Sequence, residues 1–222
     1  MDLTETENAI HALGMMLRGG FYPANTDQVP NVRPGVPTLT VVLIGNAGAL
    51  FWSQFAAGEH DDRDPMDHWT RSMIEPIAAA VGARAAYPSD RPLLPFQSWA
   101  RRSDAVHPSP IGLLIHPDFG LWHAYRAALL FPAKLALPNR AERPSPCFSC
   151  TDKPCLSACP VHCFGPAGFD AHACDRHLAI DAGHTCLELG CRARDACPIG
   201  STYRYPGEQI HFHMMAFAKR AK

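Results

Sequence analysis

The sequence predicts an α+β fold, in which a sheet-and-helix domain over residues 1–140 is followed by a small irregular domain over residues 141–222. Apolar β-branched runs alternate with helical repeats in the first part of the chain. All nine cysteines, in contrast, lie between Cys147 and Cys197. Residues 138–146 contain three prolines and are the natural boundary between the two domains.

The first domain is expected to begin with a helix, a buried strand and a second helix. Apolar residues recur at helical spacing over residues 10–17, and the glycine pair at 19–20 is expected to end that helix. A β-branched run over residues 38–44, bounded by proline and glycine, predicts a buried strand. A short helix is expected over residues 47–57.

A longer helix is predicted to start at Pro65. Asp64 precedes it as the expected N-cap, and proline is favoured in the first helical position. The helix is expected to run to Gly82. Pro76 should kink or divide it, because proline removes one backbone hydrogen bond.

The remaining elements are expected to complete the sheet. Residues 83–87 are a short strand candidate, and residues 92–102 are expected to contain a helix. Residues 111–115 predict a strand, with residues 122–131 as its neighbour across a turn at 116–121. The alanines of that last segment also suit a helix, but we favour a strand.

The second domain opens with the pattern C-x2-C-x4-C-x3-C-P, formed by Cys147, Cys150, Cys155 and Cys159. This spacing is close to the bacterial ferredoxin pattern, in which thiolates hold a [4Fe–4S] cluster. Cys197 is also followed by proline. In two-cluster ferredoxins the cysteine before proline ligates the other cluster, so two such endings suggest crossed ligation.

We therefore expect two [4Fe–4S] clusters, each with four ligands from this segment. The first is assigned Cys147, Cys150, Cys155 and Cys197. The second is assigned Cys159, Cys174, Cys186 and Cys191. Cys163 is left over and could replace Cys174. Structural zinc in two four-thiolate sites is the main alternative, whereas an odd cysteine count without an export signal fits disulfides poorly.

Composition excludes some classes of partner and location. The net charge is -1, so no general basic field favours nucleic acid, and no nucleic-acid partner is expected. No apolar run approaches the roughly 20 residues that span a bilayer, so no membrane association is expected. The first residues lack the features of a secretory signal, and the clustered thiols suit a reducing cytoplasm.

The segment Pro110–Arg126 resembles part of the cobalamin C-type processing enzymes. Those proteins remove the upper ligand of cobalamin by decyanation or dealkylation. The resemblance extends to Pro37–Thr40, Asp64–Asp67 and Leu129–Pro132, and covers most of residues 35–138 in the same order.

The cysteine-rich half separately resembles epoxyqueuosine reductase and, more distantly, the reductive dehalogenases. In those families a corrinoid-binding, nitroreductase-like domain is followed by two [4Fe–4S] clusters. The two resemblances together imply a nitroreductase-like first domain that binds cobalamin and a ferredoxin-like second domain. The gaps between the cysteines are longer here than in that pattern.

The resemblance to the processing enzymes also implies roles for particular residues. Gly112 matches a position where the backbone approaches the corrin, which a missing Cβ permits. Arg126 matches an arginine that helps to bind glutathione, and here it is expected to meet a corrin amide or phosphate. Further residues expected to line the corrin site are Gln97, His116, Phe119 and Trp122. Ordinary packing is the alternative for each, and His116 is not expected to ligate cobalt.

The function that these resemblances imply is an iron–sulfur oxidoreductase. Electrons would pass from the clusters to cobalamin and remove its upper ligand, with a flavodoxin or a reductase as electron donor. One alternative is a ferredoxin-like electron carrier whose first domain docks a partner. Others are a corrinoid-dependent reductase of a small organic substrate and a flavin in the first domain.

Overall fold

The computed structural model describes residues 3–58, 60, 63–140 and 142–219. The chain forms two compact units. The first comprises the chain up to Ala105 together with His123–Glu142, and the second comprises Val106–Trp122 together with the chain from Arg143 onward. The segment between Val106 and Trp122, which sequence assigned to the first domain, thus lies in the second unit. The domain assignment over 1–140 and 141–222 itself stays a prediction.

The first unit contains four helices and four strands among its described residues. In chain order they are α1 (Leu3–Ala12), β1 (Met16–Phe21), β2 (Thr40–Ala47), α2 (Leu50–Ala56), α3 (Pro65–Ala80), β3 (Arg84–Ala86), α4 (Phe96–Ser103) and β6 (His123–Phe131). The strands form one antiparallel sheet in the order β1–β2–β6–β3. Every residue of β2 is buried, as its β-branched and aliphatic sequence predicts.

One prediction at the start of the chain is corrected. The glycine pair at 19–20 does not end the first helix, because α1 ends at Ala12 and β1 contains both glycines. Gly19 has a φ of 73°, and a Cβ there would collide with the Ser103 carbonyl oxygen. This glycine therefore permits a close approach of two backbones within the unit. Farther along the chain, α3 runs through Pro76 as one helix. The predicted division at Pro76 is therefore wrong, while the predicted kink stays a prediction.

The second unit is built from short elements. In chain order they are β4 (His107–Pro108), β5 (Leu114–Ile115), α5 (Pro154–Ser157), β7 (Phe164–Gly165), β8 (Gly168–Phe169), α6 (Ala171–Leu178), α7 (His184–Leu189), α8 (Arg192–Asp195) and α9 (Gly207–Lys219). The buried core of this unit contains Ile111, Ile115 and Leu121 together with several cysteine side chains. Because so much of this core is thiol, its packing depends on what the sulfurs bind.

The strand predicted over residues 111–115 is also corrected. Only Leu114 and Ile115 are extended, and β5 pairs with β4 rather than with β6. Gly112 has a φ of 79° and donates its N–H to the Ser109 carbonyl at 3.0 Å. Gly112 therefore lies in a turn. The apolar residues on either side of it had suggested a continuous strand.

The chain as a whole is a mixture of helix and sheet, which confirms the α+β class. Its nitroreductase-like and ferredoxin-like parts stay predictions. None of the helices among the described residues combines the length and the apolar composition needed to cross a bilayer. The cytoplasmic location also stays a prediction.

Candidate metal centre and cofactor site

Four thiols of the second unit line one small cavity. They are Cys147, Cys150, Cys155 and Cys197. The adjacent prolines Pro146, Pro154 and Pro198 line the same cavity. Because proline fixes φ and lacks an N–H, these residues restrict the turns that present the thiols. The structure thus brings together the four cysteines that sequence assigned to one cluster, while their role as ligands stays a prediction.

Burial raises the pKa of the Cys147, Cys155 and Cys197 thiols above the ordinary value. The neighbouring thiols Cys197, Cys147 and Cys150 raise the pKa of Cys155 further. Several thiolates at this site therefore require a positive charge to compensate them. Binding of a metal to deprotonated cysteines supplies that charge and releases protons.

The other five cysteines form a second group. Cys174 lies in α6, Cys186 lies in α7, and Cys191 is the residue before α8. The pKa of Cys174 is raised to about 11, chiefly by burial and further by the nearby Cys191, Asp175 and Cys159. Burial also raises the pKa of Cys186, and the same two thiols again contribute. Cys159 and Cys191 thus affect the pKa of both helical thiols, and Cys174 and Cys191 pack against the buried core that contains Cys159. The assignment of these thiols to one cluster stays a prediction.

Cys163 belongs to this second group and is buried, with 2% of its surface exposed. Its backbone N–H donates to the Cys159 Sγ at 3.4 Å. Burial raises the pKa of Cys163 to about 12, and the neighbouring thiols Cys159 and Cys174 contribute. Cys163 and Cys174 are therefore adjacent, and the sequence alternative in which one replaces the other remains open.

The donor set at the cavity fits a thiolate-bound iron–sulfur cluster, which takes four cysteines as ligands. Residues Ile111, Ile115, Leu121 and Ile199 complete the apolar lining. Among the described residues, no group of three or more His, Cys, Asp or Glu side chains is arranged to hold a single metal ion. In a cluster each cysteine binds a different iron atom, so the four sulfurs lie farther apart than the four ligands of a single ion. The absence of a single-ion site among the described residues therefore does not argue against a cluster.

Arg194 is a residue that sequence analysis missed. Its Nη2 donates to the Leu121 carbonyl oxygen at 2.7 Å. Its guanidinium lies 4.4 Å from the Trp122 ring centroid and 4.9 Å from that of Tyr205. Arg194 therefore fixes α8, the short helix between Cys191 and Cys197. The sequence shows only that an arginine stands among the cysteines at this point, and this does not reveal its contacts.

The turn that contains His116 and Phe119 is held by its own contacts. His116 Nδ1 accepts the Asp118 N–H at 3.0 Å and the Phe119 N–H at 3.3 Å. The two rings stack with their centroids 4.3 Å apart. Trp122 is 3% exposed and packs edge-on against Tyr205. Local packing accounts for all three side chains, and their predicted roles in a corrin site stay predictions.

Gly112 has two properties relevant to its predicted role. Its positive φ requires glycine for conformational reasons alone. In addition, nothing lies within 4 Å of the position that a Cβ would occupy. The turn therefore presents open backbone, although the approach of a corrin there stays a prediction.

In the first unit, Arg126 lies at an irregularity of the sheet. Ile44 pairs with Ala127 and Gly45 pairs with Tyr125, so Arg126 is the extra residue of a β-bulge. Such bulges redirect a side chain relative to the regular strand. Gln97, the other predicted contact in this unit, is an exposed residue of α4.

Arg126 contacts a buried asparagine that sequence analysis did not single out. Its Nε donates to the Asn46 Oδ1 at 2.9 Å, and its guanidinium lies 4.6 Å from the Phe51 ring centroid. Asn46 is wholly buried, and its Nδ2 has no hydrogen-bond partner among the described residues. A buried donor without an acceptor is costly, so this amide is a polar group that ordinary packing of the first unit does not account for. A polar residue inside an apolar strand was the available sequence signal.

Comparison with known proteins finds likeness in structure only. No family model matches the chain, and no curated protein matches its sequence. The solved epoxyqueuosine reductase from Streptococcus thermophilus matches with a TM-score of 0.57 at 13% identity, over 93% of this chain and 68% of that one. A C. elegans B12-trafficking protein, CblC, matches with a TM-score of 0.51 at 15% identity, over 98% of this chain and 94% of that one.

These identities are low, so the likeness concerns the fold. Both families expected from sequence are nevertheless found among the structural neighbours. Each match extends over both halves of the chain, and a fusion of two families stays a prediction. Another matched epoxyqueuosine reductase structure, at a TM-score of 0.51 and 15% identity over 95% of this chain and 68% of that one, holds a tRNA stem loop. The nucleic acid bound in that structure is in mild conflict with the expectation that this chain has no nucleic-acid partner.

Proposed function

We propose that the chain is an iron–sulfur oxidoreductase that binds cobalamin and passes electrons from two [4Fe–4S] clusters to its cobalt, with reductive removal of the upper ligand. The observation that carries this proposal is the division of the cysteines into two groups. Four cysteines line one small cavity, and in the other group Cys174 and Cys191 pack against the buried core that contains Cys159. The fold likeness to epoxyqueuosine reductase and to CblC supports it independently.

The chain's own residues would hold and orient the groups that carry the chemistry. The first cluster would be held by Cys147, Cys150, Cys155 and Cys197. The second would be held by Cys159, Cys174, Cys186 and Cys191. When bound, the clusters supply single electrons at potentials that the protein tunes, and cobalamin supplies the bond that is cleaved. An electron donor such as a flavodoxin or a reductase would complete the system.

Corrinoid binding is proposed to use polar groups of the first unit. The Arg126 guanidinium and the unpartnered Asn46 amide can donate to a corrin amide oxygen or to the phosphate of the nucleotide tail. Donors of this kind fix orientation in a largely apolar site. Gly112, His116, Phe119, Trp122 and Gln97 are retained as further proposed contacts of the corrin.

The proposal is tested on protein purified without oxygen. Iron, sulfide and zinc are measured, and electron paramagnetic resonance spectra are recorded after reduction. Cyanocobalamin is then added, and its visible spectrum is followed before and after a flavodoxin–reductase system is supplied. We expect about eight iron atoms per chain, a shifted corrin spectrum on binding, and loss of cyanide on reduction.

The other outcomes separate the alternatives. Clusters without any corrin binding would leave the ferredoxin-like carrier and reject the cobalamin proposal. Corrin binding without loss of the upper ligand would favour a corrinoid-dependent reductase of a small organic substrate. A colourless, zinc-rich protein would reject the electron-transfer function altogether, and released flavin would place a different cofactor in the first unit.

A further inference from the structure

His177 and Cys186 contact one another in the interior of the second unit. The His177 Nε2 lies 3.8 Å from the Cys186 Sγ, which is within hydrogen-bonding distance for sulfur. Both residues are buried, with 9% of His177 and 7% of Cys186 exposed. Burial of a histidine removes its ring from water, so the ring needs a partner inside the protein. Here the Cys186 thiol is that partner.

Local sequence places this histidine beside the second group of cysteines. Cys174 and His177 occupy positions i and i+3 of α6, so they share one face of that helix. Cys186 approaches from α7. One helix face therefore presents both a proposed cluster ligand and an imidazole that contacts another proposed ligand.

The backbone at His177 is held firmly. Its carbonyl oxygen accepts the Ile180 N–H at 3.3 Å, and it packs so closely on Gly183 that a Cβ there would collide with it. Gly183 is itself buried. The backbone from which the imidazole projects is therefore fixed against the turn that follows α6.

The chemistry of the pair depends on which group donates. A cysteine that ligates iron is a thiolate and can only accept a hydrogen bond. Ligation of iron by Cys186 therefore selects the tautomer in which His177 Nε2 carries a proton. Hydrogen bonds to ligating sulfurs are one of the means by which proteins set cluster potentials.

We infer that His177 is a positioning residue that donates a hydrogen bond to the Cys186 thiolate and raises the reduction potential of the second cluster. This inference rests on the proposed function, because it requires a cluster at Cys186. Reduction adds one electron and increases the negative charge on the ligating sulfurs. An N–H donor stabilises that added charge more than it stabilises the oxidised state, and no proton needs to move.

The test compares two substitutions of His177 with a matched control on the same helix. His177→Phe keeps a planar ring but removes the donor, whereas His177→Gln keeps an N–H. His172→Phe changes an exposed histidine of α6. The iron content of each protein is measured, and the potentials of both clusters are determined by a redox titration followed by electron paramagnetic resonance.

We expect His177→Phe to retain wild-type iron and to lower one potential only. The equilibrium constant for one-electron reduction should fall about tenfold, which corresponds to about 59 mV. His177→Gln should recover most of this shift, and His172→Phe should leave both potentials unchanged.

Three results would overturn the inference, and they are distinguishable. Unchanged potentials in His177→Phe, with iron retained, reject the hydrogen bond but leave the proposed function intact. Loss of half the iron in both His177→Phe and His177→Gln would identify His177 as a ligand or a structural support instead. A wild-type protein without iron rejects this inference and the proposed function together.

Discussion

Cys197 lines the same cavity as Cys147, although the two thiols stand at opposite ends of the cysteine-rich segment. The chain leaves the first group after Cys155, contributes thiols to the second group, and returns through α8 to Cys197. Such a return is what crossed ligation would require, and the ligation itself stays a prediction. It makes each proposed cluster dependent on distant parts of the segment, and therefore on the fold of the whole unit.

Cys197→Ser should remove one proposed cluster and spare the other. Iron is expected to fall from about eight to about four atoms per chain, because a [4Fe–4S] cluster needs four ligands. Iron and sulfide analysis with electron paramagnetic resonance measures the change. Ser149→Ala, at an exposed position beside Cys150, is the control and should retain all the iron. Full iron content in Cys197→Ser would contradict its assignment.

The roles of Cys163 and Cys174 can be separated by single substitutions. Cys174→Ser should halve the iron content, whereas Cys163→Ser should leave it unchanged, since Cys163 is not in the assigned set. The same iron and sulfide analysis decides the matter. The opposite pattern would transfer the ligand role to Cys163, whose backbone N–H already contacts the Cys159 sulfur.

Arg126→Gln should weaken cyanocobalamin binding by roughly 10- to 100-fold, because it removes a charged donor worth roughly 1.5–3 kcal/mol in comparable hydrogen bonds. The dissociation constant is obtained from a spectral titration. Arg71→Gln is a matched control, because Arg71 also lies over an aromatic ring and bonds a polar side chain, Asp90. Equal affinities for wild type and Arg126→Gln would remove Arg126 from the proposed corrin contacts.

Asp104→Ala should destabilise the first unit by about 3–5 kcal/mol, because it leaves a buried charge without its partner. The Arg18 Nη2 lies 2.6 Å from the Asp104 Oδ2, and the Arg18 side chain is almost wholly buried. Denaturant unfolding followed by circular dichroism measures the effect. Glu7→Ala, which removes one member of an exposed pair with His11, should change the stability by less than about 1 kcal/mol.

Tyr125 should make the first unit less stable in alkali. Burial raises the pKa of its phenol well above the ordinary value, despite the opposing charge of Arg18. Stability is then fully present below the unfolded pKa of about 10 and is lost as the pH rises toward the folded pKa. The free energy of unfolding, measured at a series of pH values above about 10, should therefore fall less steeply with pH in Tyr125→Phe than in the wild type. Ionisation of Tyr125 in the folded chain near its ordinary pKa, seen as phenolate absorbance, would contradict this.

Sequence was most informative where local pattern decides structure. The apolar run of β2 is buried throughout, and residues 123–131 form a strand despite alanines that also suit a helix. It was least informative where the outcome depends on partners distant in the chain. β5 pairs with β4 rather than β6, and the close approach of the Ser103 carbonyl leaves no room for a side chain at Gly19. Local propensities cannot predict such contacts, because the contacting residues lie far apart in the chain.

The sequence by itself determined the α+β class, the confinement of the thiols to one segment, and a grouping of cysteines that the structure brings together. These follow from spacing and periodicity, which act over a few residues. Only the tertiary structure decided that Arg126 lies at a bulge against Asn46 and that His177 contacts Cys186. Each of these contacts joins residues on different elements, and the energy that fixes such contacts comes from packing that forms only when the chain has folded.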